Sequence, residues 1–116
     1  MKKTLFIDID GCLIKHTGNL SKQITNVPEL LPNVLEKLNQ WDMDGHKIIL
    51  TTGRKESMRK VTEEQLLMLG IFYDQLIMGL NRGERIIIND SKSDIRMTTA
   101  SAIQINRNEG LTNVNI

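Results

Sequence analysis

Two pairs of aspartates close apolar runs of the sequence, one pair near its start and one in its second half. Asp8 and Asp10 end the first run, and Asp90 ends the second, with Asp94 four residues further on. An apolar run of this length predicts a buried strand, and the carboxyl ends of parallel strands meet at one edge of a sheet. Four carboxylates gathered at that edge would repel one another unless a divalent cation lay between them. Since Mg²⁺ prefers oxygen ligands, the sequence predicts a magnesium site there.

A hydroxyl and a guanidinium follow a third apolar run. Residues 47–51 are predicted as a strand, and Thr52, Gly53 and Arg54 come directly after it. Thr52 and Arg54 would therefore stand at the same edge of the sheet as the aspartates, where ligands of open parallel sheets bind. The alternatives are that Thr52 only caps the helix that follows and that Arg54 forms a surface ion pair, which would contribute little stability.

The elements that would hold these groups alternate between strand and helix. Strands are predicted at 4–9, 47–51, 76–78, 85–89 and 102–105, and helices from Pro32 to Gly45 and over 56–69. This alternation predicts an α/β fold, a three-layer, Rossmann-like parallel sheet flanked by helices. Residues 93–101 can hold one or two further helical turns. One connection is short for this topology, because only residues 79–84 separate the third and fourth strands, whereas a parallel crossover usually needs about a dozen residues.

The composition limits the class of protein. The 116 residues carry 15 lysines and arginines against 14 aspartates and glutamates, a net charge of +1. We therefore expect one domain spanning 1–116 and no nucleic-acid partner. No apolar run approaches the ~18 residues that a membrane span needs, so no membrane partner is expected. The single cysteine, Cys12, excludes an internal disulfide and favours a reducing compartment, the cytoplasm.

The order and spacing of the three motifs resemble those of the haloacid dehalogenase-like (HAD) superfamily. Its first motif is an apolar strand followed by Asp-x-Asp-Gly, as at 7–11, and its second is an apolar strand ending in Thr or Ser, as at 48–52. Its fourth motif is similar to 86–90 with the aspartate at position 94. The resemblance covers nearly the whole chain. Because the family's dehalogenases lack the second aspartate of the first motif, its presence here favours phosphoryl chemistry.

The resemblance implies a role for each residue of the first two motifs. Asp8 would attack phosphorus and form an aspartyl-phosphate, and Asp10 would protonate the leaving oxygen and then take a proton from the hydrolytic water. Thr52, Gly53 and Arg54 would bind the phosphoryl group of the substrate.

The resemblance also implies a magnesium ion and a cation from a third motif. Mg²⁺ would lie between Asp8, Asp90 and the backbone carbonyl of Asp10, with Asp94 as a water-mediated partner. The third motif should supply a lysine shortly before the fourth strand, and residues 80–85 contain none. We choose Arg82 as its replacement because it lies in the loop; the alternatives are Arg85 and Lys92.

The chain has no room for the cap domains with which the family selects substrates. The open site of a capless member would be closed by residues 12–28, predicted as a covering loop or hairpin, or by a neighbouring subunit in a homo-oligomer. Within the superfamily, Thr62-x-x-Gln65-Leu66 and Gly70-x-x-Tyr73-Asp74 resemble a branch of small phosphatases associated with capsule and surface-polysaccharide synthesis.

The expected function is therefore that of a magnesium-dependent phosphatase that acts on a small phosphorylated metabolite. Among such substrates, we expect a sugar phosphate rather than a nucleotide. One alternative is a phosphatase for nucleotides or nucleic-acid ends, where Thr-Gly-Arg also occurs. Another is a non-catalytic module that binds a phosphorylated ligand or serves as an accessory subunit, which the missing lysine would favour. Retention of both Asp8 and Asp10 favours the enzyme, because a binding module has no need of a general acid.

Overall fold

The computed structural model describes residues 1–92 and 96–116. Its elements are β1 (Thr4–Asp8), α1 (Leu20–Thr25), α2 (Val34–Met43), β2 (Lys47–Thr51), a 3₁₀ turn (Glu56–Met58), α3 (Arg59–Leu69) and β3 (Gln75–Ile77). The predicted α/β class is confirmed, since the strands form a parallel sheet flanked by helices in a Rossmann-like arrangement.

The sheet has the strand order β1-β2-β3, so β2 is the central strand. Ile48, Ile49 and Leu50 of β2 are all buried, as a continuous apolar run in a central parallel strand should be. Asp8 of β1 lies opposite Thr51 of β2, which in turn lies opposite the last residue of β3. The carboxyl ends of the three strands therefore share one edge of the sheet, and the first two motifs meet there.

The helices follow the predicted pattern of apolar residues. Val34, Leu38 and Trp41 of α2 are buried in the core, at the spacing of three and four residues that places side chains on one helix face. After α2 the chain turns at Gly45, whose φ of +86° lies in the left-handed region that glycine adopts without strain. In the described part of the chain, no helix combines the length and apolar character that crossing a membrane would take.

The strands predicted at 85–89 and 102–105 are not formed, and that prediction is wrong. Ile88 is 95% exposed, and β1 pairs only with β2 in the described part of the chain. The six residues 79–84 reach at most ~20 Å when extended and contain no helix. They therefore do not form the packed crossover that would bring residues 86–88 to the free edge of β1. Of the predicted turns at 93–101, residues 93–95 lie outside the described residues and 96–101 contain no helix.

The last described segment packs against the first motif. Leu111 is buried in the core, and its backbone N–H donates to the carbonyl of Pro32 at 3.0 Å. A Cβ on Gly110 would stand 2.5 Å from the same carbonyl oxygen, so only glycine fits there. The backbone N–H of Asn108 donates to the carbonyl of Gly11 at 2.9 Å, which ties this segment to the turn after β1.

Candidate active site

The site lies at the carboxyl edge of the sheet, where β1 and β2 end side by side. Asp8 is the last residue of β1, and the backbone N–H of Ile9 donates to the carbonyl of Thr51 at 3.2 Å. The next residue of the second motif, Thr52, donates its backbone N–H to the carbonyl of Ile77 at 3.0 Å. The structure thus brings the first two predicted motifs together.

Asp10 and Arg54 form a buried, bidentate ion pair. Arg54 donates from Nε to Oδ2 of Asp10 at 2.9 Å and from Nη2 to Oδ1 at 2.8 Å. The Arg54 side chain is 0% exposed and that of Asp10 is 14% exposed. Because two charges can be buried only when they are paired and fully hydrogen-bonded, this pair must be satisfied at every donor.

The third nitrogen of Arg54 is satisfied by α3. Nη1 donates to Oγ1 of Thr62 at 3.0 Å and to Oε1 of Gln65 at 2.7 Å, and both partners are buried. The sequence predicted that Arg54 contacts a substrate anion or forms a surface ion pair. The structure instead places it beneath the site, where its guanidinium holds the side chain of Asp10.

The predicted covering segment supplies a further partner of Asp10 that the sequence did not reveal. Gln23, on α1, donates from Nε2 to Oδ1 of Asp10 at 2.7 Å. Gln65 donates from Nε2 to the backbone carbonyl of Gln23 at 3.0 Å. Asp10, Gln23, Gln65 and Arg54 are thereby joined in a closed ring of hydrogen bonds, which we call the Asp10 ring.

Asp8 differs from Asp10 in being open to solvent. Its side chain is 36% exposed, and Oδ1 accepts from Nη1 of Arg85 at 3.1 Å. Arg85 is therefore the cation beside Asp8. Arg82, which we preferred from the sequence, is exposed and makes no ion pair in the described residues. Arg85 was only an alternative in the sequence analysis because it was assigned to a strand, and that strand does not form.

The other oxygen of Asp8 faces Cys12. The Sγ of Cys12 lies 3.9 Å from Oδ2 of Asp8. Burial, reinforced by the negative charge of Asp8, raises the pKa of the Cys12 thiol to about 11. Since the thiolate is the nucleophilic form, Cys12 is a poor nucleophile at neutral pH.

Thr52 and Gly53 form the turn that follows β2. The buried Oγ1 of Thr52 accepts from the backbone N–H of Arg54 at 3.0 Å, a local bond within the turn. It is not the helix cap that the sequence offered as an alternative, because the helical segments that follow begin at Glu56 and Arg59 without a side-chain cap. Gly53 is exposed, and a Cβ there would approach the carbonyl oxygen of Leu80 to 3.4 Å. The accessible part of this turn is thus the backbone of Gly53.

The predicted magnesium site is not present as a cluster of side chains in the described residues. They contain no group of three or more His, Cys, Asp or Glu that could hold a metal. Asp90 is exposed, and its Oδ1 accepts from the backbone N–H of Lys92 at 3.2 Å. Asp94 lies outside the described residues. Asp8 and Asp10, meanwhile, already carry arginine partners.

Comparison with known proteins finds likeness in structure. No family model matches the chain, and no curated protein matches it. A chain of a Pnkp1/Rnl/Hen1 complex is 28% identical, with a TM-score of 0.60, over 74% of this chain and 31% of that chain. A chain of a Pnkp1/Rnl/Hen1 RNA repair complex is 26% identical, with a TM-score of 0.58, over 82% and 28%. The present chain thus spans about a third of the length of these two neighbours.

A further neighbour has nearly the same size as this chain. It is the crystal structure of an MCSG target from Vibrio cholerae, 22% identical, with a TM-score of 0.55, over 85% of this chain and 91% of that chain. At this identity the likeness shows the fold alone.

Proposed function

We propose that the chain hydrolyses phosphomonoesters with Asp8 as the nucleophile. The observation that carries the proposal is the contrast between the two carboxylates at the strand edge: Asp8 is open, and Asp10 is enclosed and hydrogen-bonded at both oxygens. A carboxylate oxygen of Asp8 would form a bond to phosphorus while the ester P–O bond breaks, which leaves an aspartyl-phosphate. Water would then cleave the aspartyl-phosphate and release inorganic phosphate.

Asp10 would move the protons in both steps. It would give a proton to the leaving oxygen in the first step and take one from the attacking water in the second, a contribution of about 10²–10⁴-fold in rate. Within the Asp10 ring, Oδ1 accepts two hydrogen bonds and Oδ2 accepts one. Oδ2 is therefore the oxygen with the greater free capacity to carry the proton.

Arg85 would neutralise the charge of the phosphoryl group. Its Nη1 lies 3.1 Å from Oδ1 of Asp8, so a phosphoryl group bonded to Asp8 would stand within reach of the guanidinium. An arginine suits this task because its planar fork of N–H donors matches phosphate oxygens. In this proposal Arg85 takes the place of the lysine that the resemblance leads one to expect.

Magnesium dependence is a separate part of the proposal. It needs a conformation in which Asp90 approaches Asp8, and the steps above use only groups of the chain. Phosphate release measured with Mg²⁺, with EDTA, and for Asp90→Asn tests this part directly. Phosphate release that persists in EDTA would contradict magnesium dependence but would not contradict the role of Asp8 as the nucleophile.

A small phosphorylated metabolite, with a sugar phosphate first, is the substrate class that the sequence favours. A second candidate is the phosphate at the end of a nucleic acid. It is supported by the likeness to chains of an RNA repair complex at 28% and 26% identity, which reopens the expectation that nucleic acid is no partner. The net charge of +1 favours the small metabolite, because binding to a polyanion draws on basic excess.

The experiment is release of inorganic phosphate from a panel of sugar phosphates, nucleoside monophosphates and RNA oligomers with a terminal phosphate. We expect Asp8→Asn to lose activity by on the order of 10³-fold or more, because no covalent intermediate can form. Asp42→Asn, at an exposed aspartate of α2, is the matched control. Equal release by wild type and Asp8→Asn would contradict the proposal. A KM for the RNA ends that is lowest in the panel and rises with salt would favour the second candidate.

A further inference from the structure

The side-chain amide of Gln23 is held in a single orientation. Its Oε1 accepts from the backbone N–H and from Oγ1 of Thr17, both at 2.9 Å. Its Nε2 donates to Oδ1 of Asp10 and to the backbone carbonyl of Lys15, both at 2.7 Å. A backbone N–H can only donate and a backbone carbonyl can only accept, so turning the amide over would break both contacts.

The same residue joins the segment that contains it to the strand edge and to α3. The segment from Lys15 to Glu29 is closed on itself by a hydrogen bond from the Lys15 N–H to the Glu29 carbonyl at 2.9 Å. Gln23 is the buried side chain of α1 within this segment. Its contacts to Asp10 and Gln65 are therefore where the segment is fixed to the strand edge and to α3.

The consequence for Asp10 is geometric. Arg54 alone would fix the carboxylate in the plane of its guanidinium, and Gln23 adds a second donor at Oδ1. With Oδ1 accepting from two donors, the proton that Asp10 exchanges belongs on Oδ2. A carboxylate that loses the Gln23 contact can rotate or shift by a fraction of an ångström, and proton transfer depends steeply on such displacements.

We propose that Gln23 is a positioning residue for Asp10, through which the packing of residues 15–29 sets the geometry of proton transfer. The proton-transfer part rests on the proposed function. The contact between Gln23 and Asp10 does not, so the two can be tested separately.

The test of proton transfer compares two esters with leaving groups of different basicity, p-nitrophenyl phosphate and glycerol phosphate. A poor leaving group needs the proton from Asp10, whereas p-nitrophenolate leaves without much help. For Gln23→Met we expect kcat/KM on glycerol phosphate to fall about 10- to 100-fold and kcat/KM on p-nitrophenyl phosphate to fall about threefold at most, because kcat/KM reports the first step, in which the leaving group departs. Gln40→Met, at an exposed glutamine of α2, should match wild type on both esters.

The outcomes are distinguishable. Equal losses on the two esters would overturn the inference, because a merely structural role does not depend on the leaving group. A wild type that releases phosphate from neither ester would overturn the proposed function and the proton-transfer part with it.

The contact itself is tested by NMR, without any turnover. Slow exchange of the Gln23 side-chain amide protons is expected, with the exposed Gln40 amide in the same spectrum as the reference for rapid exchange. Exchange at Gln23 as fast as at Gln40 would overturn the positioning contact regardless of activity.

Discussion

The surroundings of Asp10 and those of Asp8 show opposite solutions for an aspartate paired with an arginine. The Asp10 ring draws its members from the turn after β1, the turn after β2, α1 and α3, and each side-chain nitrogen in it makes a hydrogen bond inside the protein. Asp8 meets Arg85 at the surface, where both side chains remain more than a third exposed. Two aspartates with a single residue between them therefore differ in their surroundings: Asp10 is enclosed and Asp8 is accessible.

The difference teaches what burial does to an ion pair. A buried pair cannot exchange its partner for water, so it fixes geometry and is costly to break. An exposed pair contributes about 0–1 kcal/mol and can give way to a substrate anion. An enzyme that needs a well-placed proton carrier beside a free nucleophile requires both kinds of surroundings.

The largest expected effect is that of breaking the buried pair. Arg54→Met leaves Asp10 buried without its partner and should lower the free energy of unfolding by about 3–5 kcal/mol, whereas Arg85→Met should lower it by about 0–1 kcal/mol. Urea denaturation of the two variants measures both values. Equal losses in the two variants would mean that the contrast between the regions is not real.

The next effect concerns the thiol beside Asp8. The pKa of Cys12 is raised from 9.0 to about 11, so at pH 8 the folded protein holds about a hundredth of the thiolate of the unfolded chain. Alkylation by iodoacetamide should be slower by at least that factor in the native protein than in urea. Because a raised pKa favours the protonated form, the stability that the thiol contributes is complete below pH 9 and is lost as pH rises through about 11.

The charge of Arg85 lowers the pKa of Cys12, against the two main causes that raise it. Arg85→Met should therefore slow the alkylation of native Cys12 further at pH 8. Faster alkylation in this variant would place Arg85 away from Asp8 and Cys12.

A pair of glycines extends the comparison to the backbone. Gly110→Ala puts a Cβ against the carbonyl of Pro32 at a φ of +82°, so we expect a loss of about 2 kcal/mol or more. Gly83, in the exposed stretch before Arg85, has open space around it and should tolerate alanine within about 0.5 kcal/mol. Thermal melting of the two variants checks both. Similar melting temperatures would show that the last segment does not pack against Pro32.

The smallest expected effect is a difference in stability between losing a buried threonine hydroxyl and losing one near the surface. Thr62→Val removes a buried acceptor of Arg54 and should cost about 1–3 kcal/mol. Thr99→Val removes the hydroxyl of a half-buried threonine that donates to the Asp90 carbonyl near the surface, where water can replace it, so a loss of about 0.5 kcal/mol at most is expected. Denaturation midpoints resolve this difference, and a greater loss at Thr99 would contradict it.

Local patterns of sequence predicted the first half of the fold well. The strand at 47–51 has the predicted bounds, and the helix that buries Trp41 begins within two residues of Pro32. These elements are set by periodicity and by glycines at their ends, both of which are visible in a short window. The isoleucines at 86–88 show the limit, because an apolar run does not reveal whether its connection can deliver it to a sheet edge.

The site was predictable in its position but not in its contacts. Asp8 and Thr52 end neighbouring strands, and a parallel order brings them together. The partners of Asp10 lie 13 and 44 residues away in the chain, and no local pattern links Gln23 or Arg54 to it. One signal was present: Thr62 and Gln65 are polar residues spaced three apart on a helix face that is otherwise turned to the core, which indicates a buried polar partner.

The contact between Asn108 and Gly11 also sets an order of events during synthesis. Ribosomes make the first motif before the segment around Asn108, and the turn of that motif receives this backbone hydrogen bond from a residue 97 positions further along the chain. Asn108 also accepts from the backbone N–H of His16, 92 positions earlier, at 2.7 Å. Until Asn108 has been made, the strand edge with Asp8 and Asp10 lacks these two hydrogen bonds. The geometry around the two aspartates that these contacts support is thus reached only after translation has passed position 108.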